Sequence, residues 1–195
     1  MRRGLGFRLQ GQDRGRGPER REEVRVAERV GIGGAGCADV RLSEGCRGRG
    51  RRRQDGDATK DAVLRDNGYA LRAINLAAAK QDPDLEVLTD YLAGEAAAGW
   101  RGGIEELKKS GQTVTGKIRY YDRKAKVTGK TTAGVTFCED QRYSYNKDVK
   151  TGKVHKTTPS DNSFIYHVAF MRKNSDGTWQ MAKDDESRGA KSCVR

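Results

Sequence analysis

The chain has 195 residues, of which 34% are hydrophobic and 34% charged, with a formal net charge of +12. That length holds one domain with a tail, or two very small domains. No run approaches the ~18–20 consecutive apolar residues of a membrane-spanning helix, so no transmembrane segment is read.

The N-terminus opens on Met1-Arg2-Arg3, a charged start of the kind that precedes a signal sequence. Gly4-Leu5-Gly6-Phe7-Arg8 then supplies no apolar stretch, so no signal peptide is legible. The composition breaks near residue 56. Residues 1–56 hold 15 Arg, no Lys and 13 of the 25 Gly, whereas the rest holds 9 Arg and 15 Lys. The head carries a net +7 and the body +5.

The head is expected to be disordered. Gly45-Cys46-Arg47-Gly48-Arg49-Gly50-Arg51-Arg52-Arg53 is highly charged and has no apolar period. Such a run cannot offset the ~1–2 kcal/mol per residue lost on ordering a backbone. Gly31-Ile32-Gly33-Gly34-Ala35-Gly36 spells the dinucleotide fingerprint. That motif works between a strand and a helix, and Gly45, Gly48 and Gly50 interrupt any helix here. Low-complexity glycine is the better reading. The arginine run is a candidate polyanion contact acting through counterion release, with Phe7 the head's sole aromatic for base stacking. Nucleic acid is therefore a candidate partner through the head alone. A lysine-free excess of Arg, Gly and Ala also fits a mis-started or out-of-frame segment.

Residues 57–195 read as one domain. Asp57 or Thr59 caps a helix to about Lys80, with Leu64, Leu71, Ile74 and Ala78 on one face. Asp82-Pro83-Asp84 restarts the chain, Asp82 as cap and Pro83 at the first helical position. Leu85, Leu88, Leu92, Ala96, Trp100, Ile104 and Leu107 follow at helical spacing. Gly94 splits them into helices of about 84–93 and 95–109, and Ser110-Gly111 ends the second. The period then becomes two over Thr113–Tyr120, a half-exposed strand, and Lys130–Tyr145 is its expected partner. Ser163–Met171 is apolar on both faces, which predicts a central, doubly covered strand. Asn174-Ser175-Asp176-Gly177 turns it into the strand at Trp179. The fold class is α+β, with three helices on a curved antiparallel sheet of about four strands.

No catalytic motif emerges. There is no GxSxG, no HExxH and no phosphate loop beyond the rejected glycine run, and no cofactor is implied. Zinc is not supported, because Cys37 and Cys46 form no CxxC pair and the chain has two histidines, His155 and His167. Glu139-Asp140 and Asp184-Asp185-Glu186 read as solvated strand ends.

Four features carry a family resemblance over about residues 60–195. They are the Lys109–Gly116 helix-to-strand junction (KSGQTVTG), Phe137-Cys138-Glu139-Asp140, the Asp148–Lys153 hairpin (DVKTGK) and the terminal Cys193. With Gly-Thr-Trp-Gln-Met at 177–181, this order resembles the nuclear-transport-factor-2-like superfamily of cone-shaped α+β domains. More narrowly it is similar to secreted or lipid-anchored actinobacterial proteins. Ala35-Gly36-Cys37 only faintly echoes a lipid-attachment box, with Gly34 where a branched residue is expected. The resemblance implies an extracellular or cell-envelope location; the readable chain alone would be cytoplasmic. In the oxidising compartment so implied, a Cys138–Cys193 disulfide is expected, the alternative being two unrelated thiols. Tyr69, Tyr91, Trp100, Tyr120 and His167 are the candidate lining of a cone cavity, against the plainer reading of core packing. The expected role is a non-catalytic domain for a small ligand or an envelope partner. The alternatives are polyanion binding by the head, and a polyketide-cyclase-like cavity enzyme using His167. Ligand identity and oligomeric state are not legible.

Overall fold

The structure, a computed structural model, describes residues 57–194 and, of the segment before them, the backbone of Arg41 and Leu42. The glycine fingerprint, the arginine run, Cys37 and Cys46 lie outside the described residues. Helix α1 (Ala58–Lys80) starts where Asp57 accepts hydrogen bonds from the Thr59 and Lys60 amides, satisfying donors the first turn cannot. It ends at Gln81 in the left-handed conformation, with the Gln81 and Asp82 amides turned back onto Ala78 and Ala77.

The next segment departs from expectation. Asp82 does not cap a helix beginning at Pro83. Its carboxylate and carbonyl instead accept from Asp84 and Leu85 in a turn, and α2 spans only Val87–Tyr91. Leu92 ends it in extended backbone because it bridges Met181, and the Ala93 amide donates to the Met181 carbonyl at 2.9 Å. This sheet contact outweighs the helical period. Helix α3 (Gly94–Lys109) then begins on a glycine with φ +52°, 3.2 Å from the Ala182 carbonyl for any added Cβ.

Four long strands follow, β2 (Gln112–Val127), β3 (Thr132–Asp148), β5 (Phe164–Lys173) and β6 (Trp179–Arg188), each antiparallel to the next. Two short pieces join them. β1 (Arg41–Leu42) runs parallel to β2, and β4 (Val154–His155) returns along β3 after the 148–153 hairpin. The β2–β3 ladder is bulged twice, on β3 where Gln141 and Arg142 oppose Ile118 and on β2 where Asp122 and Arg123 oppose Phe137. β6 carries a third bulge at Ala182, between the partners of Phe170 and Met171. Bulges bend the strand that carries them, which lets the sheet curl around the helices. The Asn174–Gly177 turn forms as the sequence predicts, with the Asn174 amide on the Thr178 carbonyl.

The main core lies inside this curl. Val63, Leu71, Ile74 and Ala77 of α1 and Ile104 and Leu107 of α3 meet Val135, Phe137, Met171, Trp179 and Met181 of the sheet. A smaller cluster of Tyr121, Cys138, Phe164 and Cys193 lies on the outer face. That face corrects the expectation for β5. Ile165, His167, Ala169 and Met171 are buried inward, but Val168 and Phe170 are 45% and 36% exposed outward. The C-terminal turn (Lys191–Cys193) covers the sheet at Cys138 and Phe164 and does not reach them.

Candidate functional site

Of the five candidate lining residues, the structure brings two together. Tyr69 and Tyr91 pair at the surface of α1 and α2, their rings 5.3 Å apart and Tyr69 39% exposed. Burial, followed by the nearby Asp66 charge, pushes the Tyr91 hydroxyl pKa up. Trp100 packs half-buried against the core from α3, its Nε1 buried without a hydrogen-bond partner. Tyr120 and His167 instead sit inside the curl with three residues the sequence did not single out for the site: Glu139, Asp184 and Asn75.

His167 is 1% exposed and stands on the inner face of β5. Its Nε2 lies 3.0 Å from Glu139 Oε2 on β3, and its Nδ1 lies 3.1 and 3.2 Å from the Asp184 carboxylate oxygens on β6. Both ring nitrogens face carboxylate oxygens, an arrangement that favours the imidazolium, with hydrogen on both nitrogens. Burial by itself favours the neutral ring. The hydrogen bonds to Asp184 and Glu139, and their charges, outweigh it and raise the pKa from 6.5 to about 10. A ring that keeps both protons to such a pH does not accept another at neutrality. The far oxygen of Glu139 accepts from the Gln141 side chain. Tyr120 accepts from Asn75 Nδ2 at 2.9 Å, and burial, then the Glu139 charge, holds its hydroxyl pKa well above the ordinary value.

The acids therefore differ from the sequence reading. Glu139 and Asp140 are each 3% exposed, and the Asp184 side chain is 5% exposed. Asp140 faces outward, where Arg142 holds it through Nε and Nη2 at 3.0 and 2.9 Å. Asp185 alone of the 184–185 pair is solvated, 64% exposed beside Lys183. The bulge on β6 explains the error. Phe170 opposes Lys183 and Met171 opposes Met181, so Ala182 is an extra residue and the inward phase passes from Met181 to Asp184.

Cys138 and Cys193 are joined by a disulfide across 55 residues, with Cα atoms 5.5 Å apart. The bridge is buried, and the Tyr121 hydroxyl donates to the Cys193 carbonyl beside it. Since Cys138 precedes Glu139, β3 is fixed on its outer face by the bridge and on its inner face by the histidine.

No protein-family model and no curated protein matches the chain. Solved structures of similar course are found. A ketosteroid isomerase-like protein from Erwinia carotovora atroseptica is 17% identical, covering 68% of this chain and 97% of its own, with a TM-score of 0.46. The intermembrane space region of the chloroplast protein ARC6 is 13% identical over 68% and 98%, with a TM-score of 0.49. An NTF-2 like protein of unknown function from Shewanella oneidensis is 18% identical over 63% and 97%, with a TM-score of 0.38. At this level the likeness carries no function across. Three helices in the hollow of a curved antiparallel sheet are the architecture that the nuclear-transport-factor-2-like resemblance implies, and this chain has it. No helix among the described residues is long and apolar enough to cross a membrane.

Proposed function

We propose that the domain is a non-catalytic binding module that works outside the reducing cytoplasm, on a small ligand or a cell-envelope partner. The observation that carries this reading is the Glu139–His167–Asp184 tie. A general base needs a pKa near the working pH and a free nitrogen within reach of its substrate. His167 has both nitrogens engaged and a pKa of about 10. Its role is to fasten β3, β5 and β6 together. The buried Cys138–Cys193 bridge supports the compartment, since structural disulfides persist where the surroundings are oxidising.

The test is made on the protein from its native host. Cells are fractionated under conditions that trap thiols, and the chain is recovered and mapped by mass spectrometry. The reading predicts recovery from the envelope or medium with Cys138 and Cys193 joined. A cytoplasmic chain with both thiols free would overturn the compartment and leave the domain's role to be argued from its surface alone.

A further inference from the structure

The described interior charges are matched, with one exception. Asp66 accepts from Arg65 Nε at 2.9 Å and from the Trp179 amide at 3.0 Å. Asp140 has Arg142, and Glu139 and Asp184 have His167. Arg123, by contrast, meets only neutral acceptors among the described residues. Its Nη2 donates to the Leu64 carbonyl and, at 2.9 Å, to Asn67 Oδ1, both on α1. Its Nε is buried with no partner. Asn67 is fully buried and its Nδ2 has no partner either, so two unanswered donors flank the same Arg123–Asn67 hydrogen bond. Burial lowers the Arg123 pKa to about 10, and the charge of Arg72 adds to this.

The backbone is also bent to put Arg123 there. Tyr121 pairs with Cys138 and Lys124 with Thr136, which leaves Asp122 and Arg123 together opposite Phe137. Asp122 takes φ +51°, a left-handed conformation unfavourable for a residue with a side chain. Bulges of this kind re-aim side chains and recur beside functional sites. A strained bulge that delivers a cation to a place with no counter-ion among the described residues is costly twice over, and such local conflicts mark sites kept for function.

We propose that Arg123 and Asn67, with Arg72 beside them, form a binding site between α1 and β2 for a small oxyanion, a carboxylate or a phosphate group. An ionised oxyanion is acceptor-only, so it satisfies Arg123 Nε and Asn67 Nδ2 and neutralises the guanidinium in one step. The site rests on the reading of the domain as a binding module, and it names the chemistry of what is bound. Its test is separate, because it reads Arg123 and Asn67 and not the protonation of His167.

The full chain, labelled with ¹⁵N, is titrated with inorganic phosphate and separately with acetate, with sodium chloride holding the ionic strength constant. The side-chain signals of Arg123 Nε–H and Asn67 Nδ2–H₂ are followed, which separates this site from the arginines of the head. A saturable shift of both signals with either anion is expected, and the anion that gives it identifies the source chemistry. Arg123→Gln and Asn67→Leu each weaken that binding roughly tenfold or more, the loss of one charge-assisted contact. Arg123→Gln also melts no lower than the wild type without anion, because it removes an uncompensated charge. Signals in the wild type that respond to phosphate and acetate no more than to chloride overturn the proposal, whether or not the variants fold. So does a bound water only, seen as a persistent water contact at both donors with no anion response.

Discussion

The ring of His167 lies flat on that of Phe137, its opposed residue on β3, with centroids 4.4 Å apart and planes 4° from parallel. The stack fixes the plane of the imidazole, and that plane holds the directions of both N–H bonds. Glu139 and Asp184 lie along them from the strands on either side. An aromatic face also favours a cation over it. Packing and hydrogen bonding thus agree on one protonation state, a charged ring in the interior of the domain.

Removing that ring leaves two carboxylates buried without a counter-charge. His167→Leu is expected to destabilise the domain by about 3–5 kcal/mol at neutral pH, the range for breaking a buried ion pair from one side. Adding Glu139→Gln and Asp184→Asn to the same chain recovers part of the loss, since the carboxylates are then neutral. Equilibrium denaturation of the three proteins checks both statements.

The same group sets a pH dependence. The folded pKa of His167, about 10, is above its ordinary value of 6.5, so the folded state binds the proton more tightly than the unfolded one. Its contribution is complete below pH 6.5 and is lost as pH rises from there to about 10. Stability should fall over that window, by up to about 5 kcal/mol from a shift of this size. His167→Leu abolishes the fall across that window, because the group that loses its proton there is gone. A wild-type stability that rises with pH across the window contradicts the assignment.

The disulfide closes a loop of 55 residues that contains β4, β5 and β6. In the chain-entropy model such a loop stabilises by roughly 4 kcal/mol. Cys138→Ala with Cys193→Ala is predicted to lower stability by that order, measured by denaturant unfolding against the oxidised wild type. Reduction of the wild type should give a similar loss.

Gly116 carries a sharp steric demand. Its φ is +99°, and a Cβ there falls 1.9 Å from the Tyr143 carbonyl oxygen, a backbone atom that cannot turn aside. Gly116→Ala is expected to destabilise by about 2–4 kcal/mol through strain and a disrupted β2–β3 hairpin. Gly134→Ala, on the next strand, meets nothing within 4 Å and serves as the control for thermal melting.

The layout was legible because it follows from period and punctuation. The Asp57 cap, the change from a 3.6 to a 2 repeat after Gly111, and the Asn174–Gly177 turn each act within a few residues. The helix at Pro83 was misplaced because Leu92 answers to Met181, a partner 89 positions away. The site was half legible. Alternation along β5 puts His167 inward, but its partners depend on register. Glu139 reaches it diagonally from β3, and Asp184 faces inward only because Ala182 is an extra residue at a bulge. A run of acids gives no sign of which one is buried. Arg123 was hidden for the same reason, inside a bulge that no local pattern announces.

The central claim is that His167 is a fixed cation and not a proton-transfer group. Long-range ¹H–¹⁵N NMR of the imidazole, with His167→Leu to assign the signals, reads this directly between pH 5 and pH 9. The account predicts two protonated ring nitrogens throughout and no titration near 6.5. A neutral tautomer, with one bare nitrogen and a midpoint near 6.5, would contradict it and restore His167 as a candidate acid–base group.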